Sequence, residues 1–208
     1  HPEWMEKWSW SNLSMNHSIT PEFIERHPEW MERWNWSILG VNPSITPGFV
    51  EKHPEWKWSW TSLSRNPSIT PEFIERHLEK GWNWSELSMN PSITREFVEK
   101  HPERGWNWDA MSENTSINPE FVERYIEKDW SWIGLSMNPS ITPEFIERHP
   151  EKEWNWYSLS MNPSITSEFI EKHHEKEWCW YSLSVNPSIT PEFIEKNSGK
   201  GMNYYNFF

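Results

Sequence analysis

The side chains of this chain that are capable of chemistry stand in columns. His1, His27, His53, His77, His101, His149 and His173 recur at near-regular steps, as do Glu3, Glu29, Glu55 and Glu25, Glu51, Glu75 with their later copies. Imidazole and carboxylate are common zinc ligands and common catalytic acids and bases. The spacing argues against both uses. Histidines a whole repeat apart cannot share an ion at bonds of ~2 Å. Tyr125 interrupts the His column, and in His173-His174-Glu175 adjacent side chains rarely share an ion. Acid–base catalysis needs two carboxylates in different environments, whereas each Glu copy has the same surroundings. Serine is abundant, yet no Gly-x-Ser-x-Gly elbow, Walker loop or dinucleotide fingerprint occurs. Cys179 is the single cysteine, so an internal disulfide and a thiolate zinc site are excluded, and a reducing compartment fits. No catalytic, cofactor-binding or metal-binding residue is expected, and no enzyme.

Tryptophan is the other chemically distinctive group, with 19 in 25.3 kDa. Exposed indoles would stack on sugars or single-stranded bases. A net charge of −12 with no Lys or Arg cluster speaks against nucleic acid and anionic membranes as partners. No apolar run is long enough to span a bilayer. Sixteen of the 19 tryptophans fall at two fixed positions beside Leu and Phe, which is how core residues behave. Trp4, Trp30 and Trp56 lie outside those positions and are expected to be exposed, as an amino-terminal contact patch.

The elements that hold these columns follow from the repeat itself. A unit of the form H-P-E-K-x-W-N-W-x-x-L-S-x-N-P-S-I-T-P-E-F-I-E-K occurs eight times, over 1–26, 27–52, 53–76, 77–100, 101–124, 125–148, 149–172 and 173–196. Such self-similarity marks a solenoid whose units bury their apolar faces against neighbours. The expected fold is an all-α solenoid of eight 24–26-residue units, each two short helices of about two turns. Positions below are counted from the His of each unit. All 17 prolines fall at positions two, fifteen and nineteen, and proline is tolerated only in a helix's first turn. Thr20 and its copies, replaced by Asn118 in the fifth unit, should cap the second helix ahead of Pro-Glu-Phe-Ile. Ser9, Asn35 and their copies should cap the first, with Cys179 the exception. The expected core is Trp8, Trp10, Leu13, Ile19, Phe23 and Ile24 and their counterparts. The Asn and Ser columns (Asn16, Asn42, Asn66; Ser18, Ser44, Ser68) should serve turns and backbone groups. The first two units carry two extra residues before the Trp pair. Residues 197–208 align with half a ninth unit and are expected to form a degenerate cap, with Met202 and Tyr204 in the Trp positions and Phe207 in the Leu position. The chain begins at His1 without Met and is expected to be a fragment or processed product.

The string W-[NS]-W-x-x-L-S-x-N-P-S-I-T-x-E-F-I-E-K-H resembles tandem repeats in uncharacterised proteins of giant DNA viruses. The resemblance covers essentially the whole chain, with Asn or Ser where that family favours Asp between the tryptophans. It implies origin, and a setting in the infected cell or the virion, and it brings no activity and no catalytic residue.

The leading expectation is a non-enzymatic scaffold for protein–protein interaction, its partner unidentified. Positions nine, ten and thirteen of the first helix carry most of the variation between units and should lie opposite Trp and Leu, exposed to a partner. The candidate surface is Asn12, Met15, Ile38, Val41, Arg65, Glu86, Met89, Glu113, Ile133, Met137, Tyr157, Met161, Tyr181 and Val185, together with Trp4, Trp30 and Trp56. Two alternatives stand beside it: self-association into a filament or virion component, and glycan or other ligand binding through the aromatic ladders.

Overall fold

The computed structural model describes residues 2–198, and it is an all-α repeat solenoid: sixteen α-helices, with no strand among the described residues. They belong to two compact units, His1–Ser116 and Ile117–Phe208. The boundary falls inside the fifth repeat, between its two helices. The first unit runs from Trp10–Met15 to Trp108–Met111, and the second from Pro119–Arg124 to Pro191–Asn197. Of the cap expected over 197–208, Asn197 closes the last helix, its Nδ2 donating to the Phe193 carbonyl at 2.8 Å. Residues 199–208 lie outside the described residues.

Local chemistry sets the helix ends. Thr20, Thr46, Thr70, Thr94, Thr142, Thr166 and Thr190 each accept a hydrogen bond from the N–H of the Phe three residues on. Asn118 does the same for Phe121 at 3.0 Å, so the cap survives the change of residue. First helices start after Ser9, Asn35, Ser59, Asn83, Asn107, Ser131 and Asn155, all of which cap, while Cys179 makes no cap bond. The helices are shorter than two turns. First helices have four or six residues, because the Asn at position fourteen takes extended backbone or follows a tight turn. In the first two repeats a 3-10 segment precedes the Trp pair, Pro2–Lys7 and Pro28–Trp30, and in the second the extra residues follow it as a turn.

Helices this short are unstable alone, and the core that holds them is a set of columns. Leu39, Leu63, Leu87, Met111, Leu135 and Leu159, with the Ile column from Ile45 to Ile165 and the Phe column from Phe49 to Phe193, are buried. Each fully buried aliphatic contributes roughly 1.5–3 kcal/mol. The two tryptophans of the repeat are not equivalent, contrary to the expectation that both are core. Trp34, Trp58, Trp82, Trp106, Trp130, Trp154 and Trp178, at position six, are buried, whereas the position-eight tryptophans are only half-buried, or exposed in Trp180. The reason is geometric. Position six precedes the helix and turns inward, where Nε1 donates to the backbone carbonyl of position one, as Trp58 does to His53 and Trp154 to His149, both at 2.8 Å. Tyr125 accepts from Trp130 equally well, since only its backbone is used. In repeat two the two extra residues separate Trp34 from His27, and the buried Trp34 Nε1 has no partner.

A hydrogen bond between repeats is made by the buried Asn at position fourteen. Asn66 Nδ2 lies 3.0, 2.9 and 2.9 Å from the carbonyls of Gly40, Asn42 and Ile45 in the preceding repeat, while its Oδ1 accepts from Ser68 N–H. Asn90, Asn114, Asn162 and Asn186 repeat the arrangement. A serine hydroxyl completes it: Ser64 Oγ donates to the Trp60 carbonyl and accepts the Asn83 N–H at 3.0 Å. Gly40 stands at this position in repeat two and offers no hydroxyl. A buried carbonyl that loses its donor costs about 1–3 kcal/mol. Asn66→Ala is therefore expected to lower unfolding free energy by about 2–3 kcal/mol in dilute solution, read from urea denaturation. Asn16→Ala, at an exposed copy whose amide reaches no carbonyl among the described residues, is expected to change it little; equal effects would contradict the assignment.

Candidate interaction surface

Positions nine and thirteen of each first helix project from the packed columns. Met15, Val41, Arg65, Met89, Glu113, Met137, Met161 and Val185 at position thirteen are all exposed, as are Ile133, Tyr157 and Tyr181 at position nine. The two positions lie four residues apart, position thirteen inside the first helix at Met15, Met89 and Met137 and in the turn just past its end in the other repeats. Asn12, at position ten of the first repeat, is exposed. From the second repeat on, position ten turns towards the preceding repeat. Ile38 and Glu86 are accordingly half-buried, and Gly134, Ser158 and Ser182 are buried. The expectation that position ten is open to a partner is thus corrected for Ile38 and Glu86.

Glu86 also has an occupant. Arg65 Nη2 donates to its Oε1 at 2.5 Å, joining repeats three and four. That bond, outweighing burial, holds the Glu86 carboxyl below its ordinary range and the Arg65 guanidinium above its own. Two residues of the expected surface are therefore partners of each other.

The amino-terminal tryptophan patch is smaller than expected. Trp4 is exposed, but Trp30 and Trp56 are half-buried in ring clusters. Trp30 stacks on His27 with centroids 3.8 Å apart and meets Trp10 at 5.6 Å, and Trp56 stacks on His53 at 3.8 Å and meets Trp36 at 5.6 Å. Position four is a covering position. Where later repeats have a cation there, it sits over the preceding position-eight indole: Lys80 over Trp60 at 5.6 Å, Arg104 over Trp84 at 4.8 Å, Lys152 over Trp132 at 5.1 Å and Lys176 over Trp156 at 5.2 Å. Trp30 and Trp56 replace that cation with a ring. The sequence carried the signal, since position four holds either a Trp or a basic residue in every repeat.

The edge of the other indole fills the remaining side. Position-eight tryptophans meet the next repeat's position-six tryptophan edge-on, with centroids 5.2 Å apart for Trp10–Trp34, 5.1 Å for Trp60–Trp82 and 5.0 Å for Trp132–Trp154. A cleft of about 370 Å³ opens beside this ladder in the second compact unit, lined by Trp154, Asn155, Trp156, Tyr157, Glu175, Lys176 and Glu177. Tyr157 belongs to both the cleft and the exposed edge. Nearby, Cys179 is half-buried; burial pushes its thiol up, but hydrogen bonds from Ser182, the backbone N–H groups of Ser182 and Tyr181, and the Tyr157 side chain together bring it below its ordinary value.

The His and Glu columns meet in an ionic ladder along the second helices. Glu25 takes Lys52 at 2.6 Å and His53 at 2.7 Å; Glu51 takes Arg76 at 2.8 Å and His77 at 3.2 Å; Glu75 takes Lys100 at 2.5 Å; Glu147 takes Lys172 at 2.7 Å. Among the described residues no three His, Cys, Asp or Glu side chains are placed to hold a metal ion, and no helix is long and apolar enough to cross a membrane.

No protein-family model, no curated protein and no solved structure matches this chain.

The ladder fixes a pH dependence. Hydrogen bonds from Lys100 to Glu75 and from Lys172 to Glu147 hold both carboxyls below the ordinary 4.5, as His53 and then Lys52 do for Glu25. A depressed folded value means that the stabilisation is complete above the unfolded value and is lost as pH falls through the folded one. The urea midpoint should thus be flat above about pH 5 and decline progressively below 4.5. Glu75→Gln should shallow that decline, and an unchanged slope in that variant would contradict the ladder's role.

Proposed function

We propose that this chain is a non-enzymatic repeat scaffold that holds a protein partner along the edge formed by positions nine and thirteen of its first helices. One observation carries the reading. At the variable positions nine and thirteen side chains stay out of the packing, and in repeats six to eight they are large and apolar: Ile133, Met137, Tyr157, Met161, Tyr181 and Val185. Single exposed apolar residues are ordinary on a protein surface. A run of six on successive helices of one compact unit forms a patch of the kind that marks an interaction site. Met adapts its shape to varied contacts, and Tyr brings large contact area with little rotamer freedom to lose.

The surroundings favour a partner segment that is apolar and basic. Glu175 and Glu177 border the cleft at Tyr157, and the chain's net charge is −12, so cationic groups would find complementary potential beside the apolar edge. The indole faces that would stack on a sugar are largely covered by Lys152, Lys176, Arg104 or a second Trp, which favours a protein partner over a glycan. We propose kinship with the giant-virus repeats on the W-x-W-x-x-L-S-x-N-P-S-I-T string alone.

The test is photo-crosslinking from position 157 or 181 in the source cells, followed by a binding assay with each captured protein purified. Binding should be lost, by about a hundredfold or more, in the triple variant Ile133→Ser, Tyr157→Ser, Tyr181→Ser. The helical circular dichroism and melting of that variant should match the parent, because all three side chains are exposed. Captured partners that bind parent and triple variant equally would refute the edge as the binding surface.

A further inference from the structure

We propose that Met137 and Met161 are sites of reversible oxidation, and that their sulfoxides switch the edge at positions nine and thirteen from apolar to polar. What the switch governs rests on that edge being the docking surface; the chemistry of the two thioethers does not. Methionine stands both at the surface and in the core of the repeat. Four of the eight residues at position thirteen are methionine, and one of the eight at position eleven. Met89, Met137 and Met161 lie in repeats flanked on both sides and are 44%, 49% and 45% exposed, whereas Met111, in the Leu column, is wholly buried. Oxidation follows access, so the fold sorts these thioethers into two groups.

The reaction balances with hydrogen peroxide as the only oxidant. An S–O bond forms as the peroxide O–O bond breaks, and the hydroxide released takes the remaining peroxide proton and leaves as water. The sulfur gains one oxygen and gives up two electrons, which the peroxide receives. Methionine sulfoxide reductases, one for each epimer, reverse the step. Two thiols supply the electrons, the oxygen leaves as water, and the thiols end as a disulfide.

The consequence differs with depth. A sulfoxide is polar and chiral. At Met111 it would place an oxygen without a donor inside the Leu column and open the packing. At Met137 and Met161 the side chains stand clear of the packed columns, so the fold persists while the surface changes. These two are a third of the apolar run of six in repeats six to eight, and each lies four residues after its neighbour on that run, Ile133 or Tyr157. Cys179 is a competing target for peroxide. Cys179→Ser removes it and places at position seven the residue that caps the first helix at Ser59 and Ser131.

The test takes the full chain with Cys179→Ser, treats it with hydrogen peroxide and follows each methionine by peptide mass spectrometry. Met137 and Met161 should gain one oxygen each at least about tenfold faster than Met111. The circular dichroism melt should persist, and retention on a hydrophobic-interaction column should fall and recover with the two reductases. Met137→Leu with Met161→Leu keeps the apolar volume and should blunt that fall, whereas Met137→Gln with Met161→Gln should reproduce it without peroxide. Met111 oxidised as fast as Met137, unfolding on oxidation, or an equal fall in the Leu variant overturns the proposal. A purified partner captured at the edge separates the switch from the edge itself. One that binds the reduced and oxidised chains alike overturns the switch and leaves the edge. One that ignores the triple Ser variant overturns the edge and leaves the oxidation sites.

Discussion

A helix of four to six residues cannot satisfy its own backbone. The turn that closes it takes up three of its carbonyls, as the Ser64, Arg65 and Asn66 N–H groups do for Trp60, Ser62 and Leu63, and leaves that of Ser64 to a donor from outside the repeat. Everything in this chain depends on meeting that need from the next repeat. The Asn at position fourteen is the answer: Asn66 and Asn114 each bring two N–H groups to three carbonyls of the repeat before. Because the donor comes from the neighbour, a repeat is complete only when stacked. This is why helices too short to stand alone appear in every repeat, and why the apolar columns alone would not fix their register.

The tryptophans give the junction its second constraint. The position-six indole is anchored by its own repeat, through the bond to the carbonyl five residues earlier, and its edge is offered to the indole of the repeat before. The position-eight indole then has one side against that edge and one face beneath a cation or another ring. Six such pairs, from Trp10–Trp34 to Trp156–Trp178, thus link one repeat to the next. What remains free is the edge at positions nine and thirteen, where the sequence varies without cost to the stack.

Much of this was legible before any coordinates. Proline at three positions bounded the helices, and the change from Thr to Asn118 marked a cap because both residues offer an acceptor. The swap of Leu for Met111 and of Ile for Val50 marked core. Other features depend on register between repeats, which a single repeat does not contain. Position ten looked as open as position thirteen until the preceding helix was in place over Ile38 and Glu86. Trp30 and Trp56 looked like a surface patch because their role belongs to the indole one repeat earlier. The pairing of the Glu and His columns was hidden for the same reason: Glu25 and His53 are 28 residues apart and become neighbours only when helices stack.

The central claim is that buried Asn amides join one repeat to the next, and hydrogen exchange of the side-chain Nδ2 protons measures it directly. The Nδ2 protons of Asn66, Asn90, Asn114 and Asn162 should exchange orders of magnitude more slowly than those of the exposed Asn12 and Asn16, and their protection should be lost only with unfolding of the array. Nδ2 protons of Asn66 and Asn114 that exchange as fast as those of Asn16 under native conditions would contradict the account.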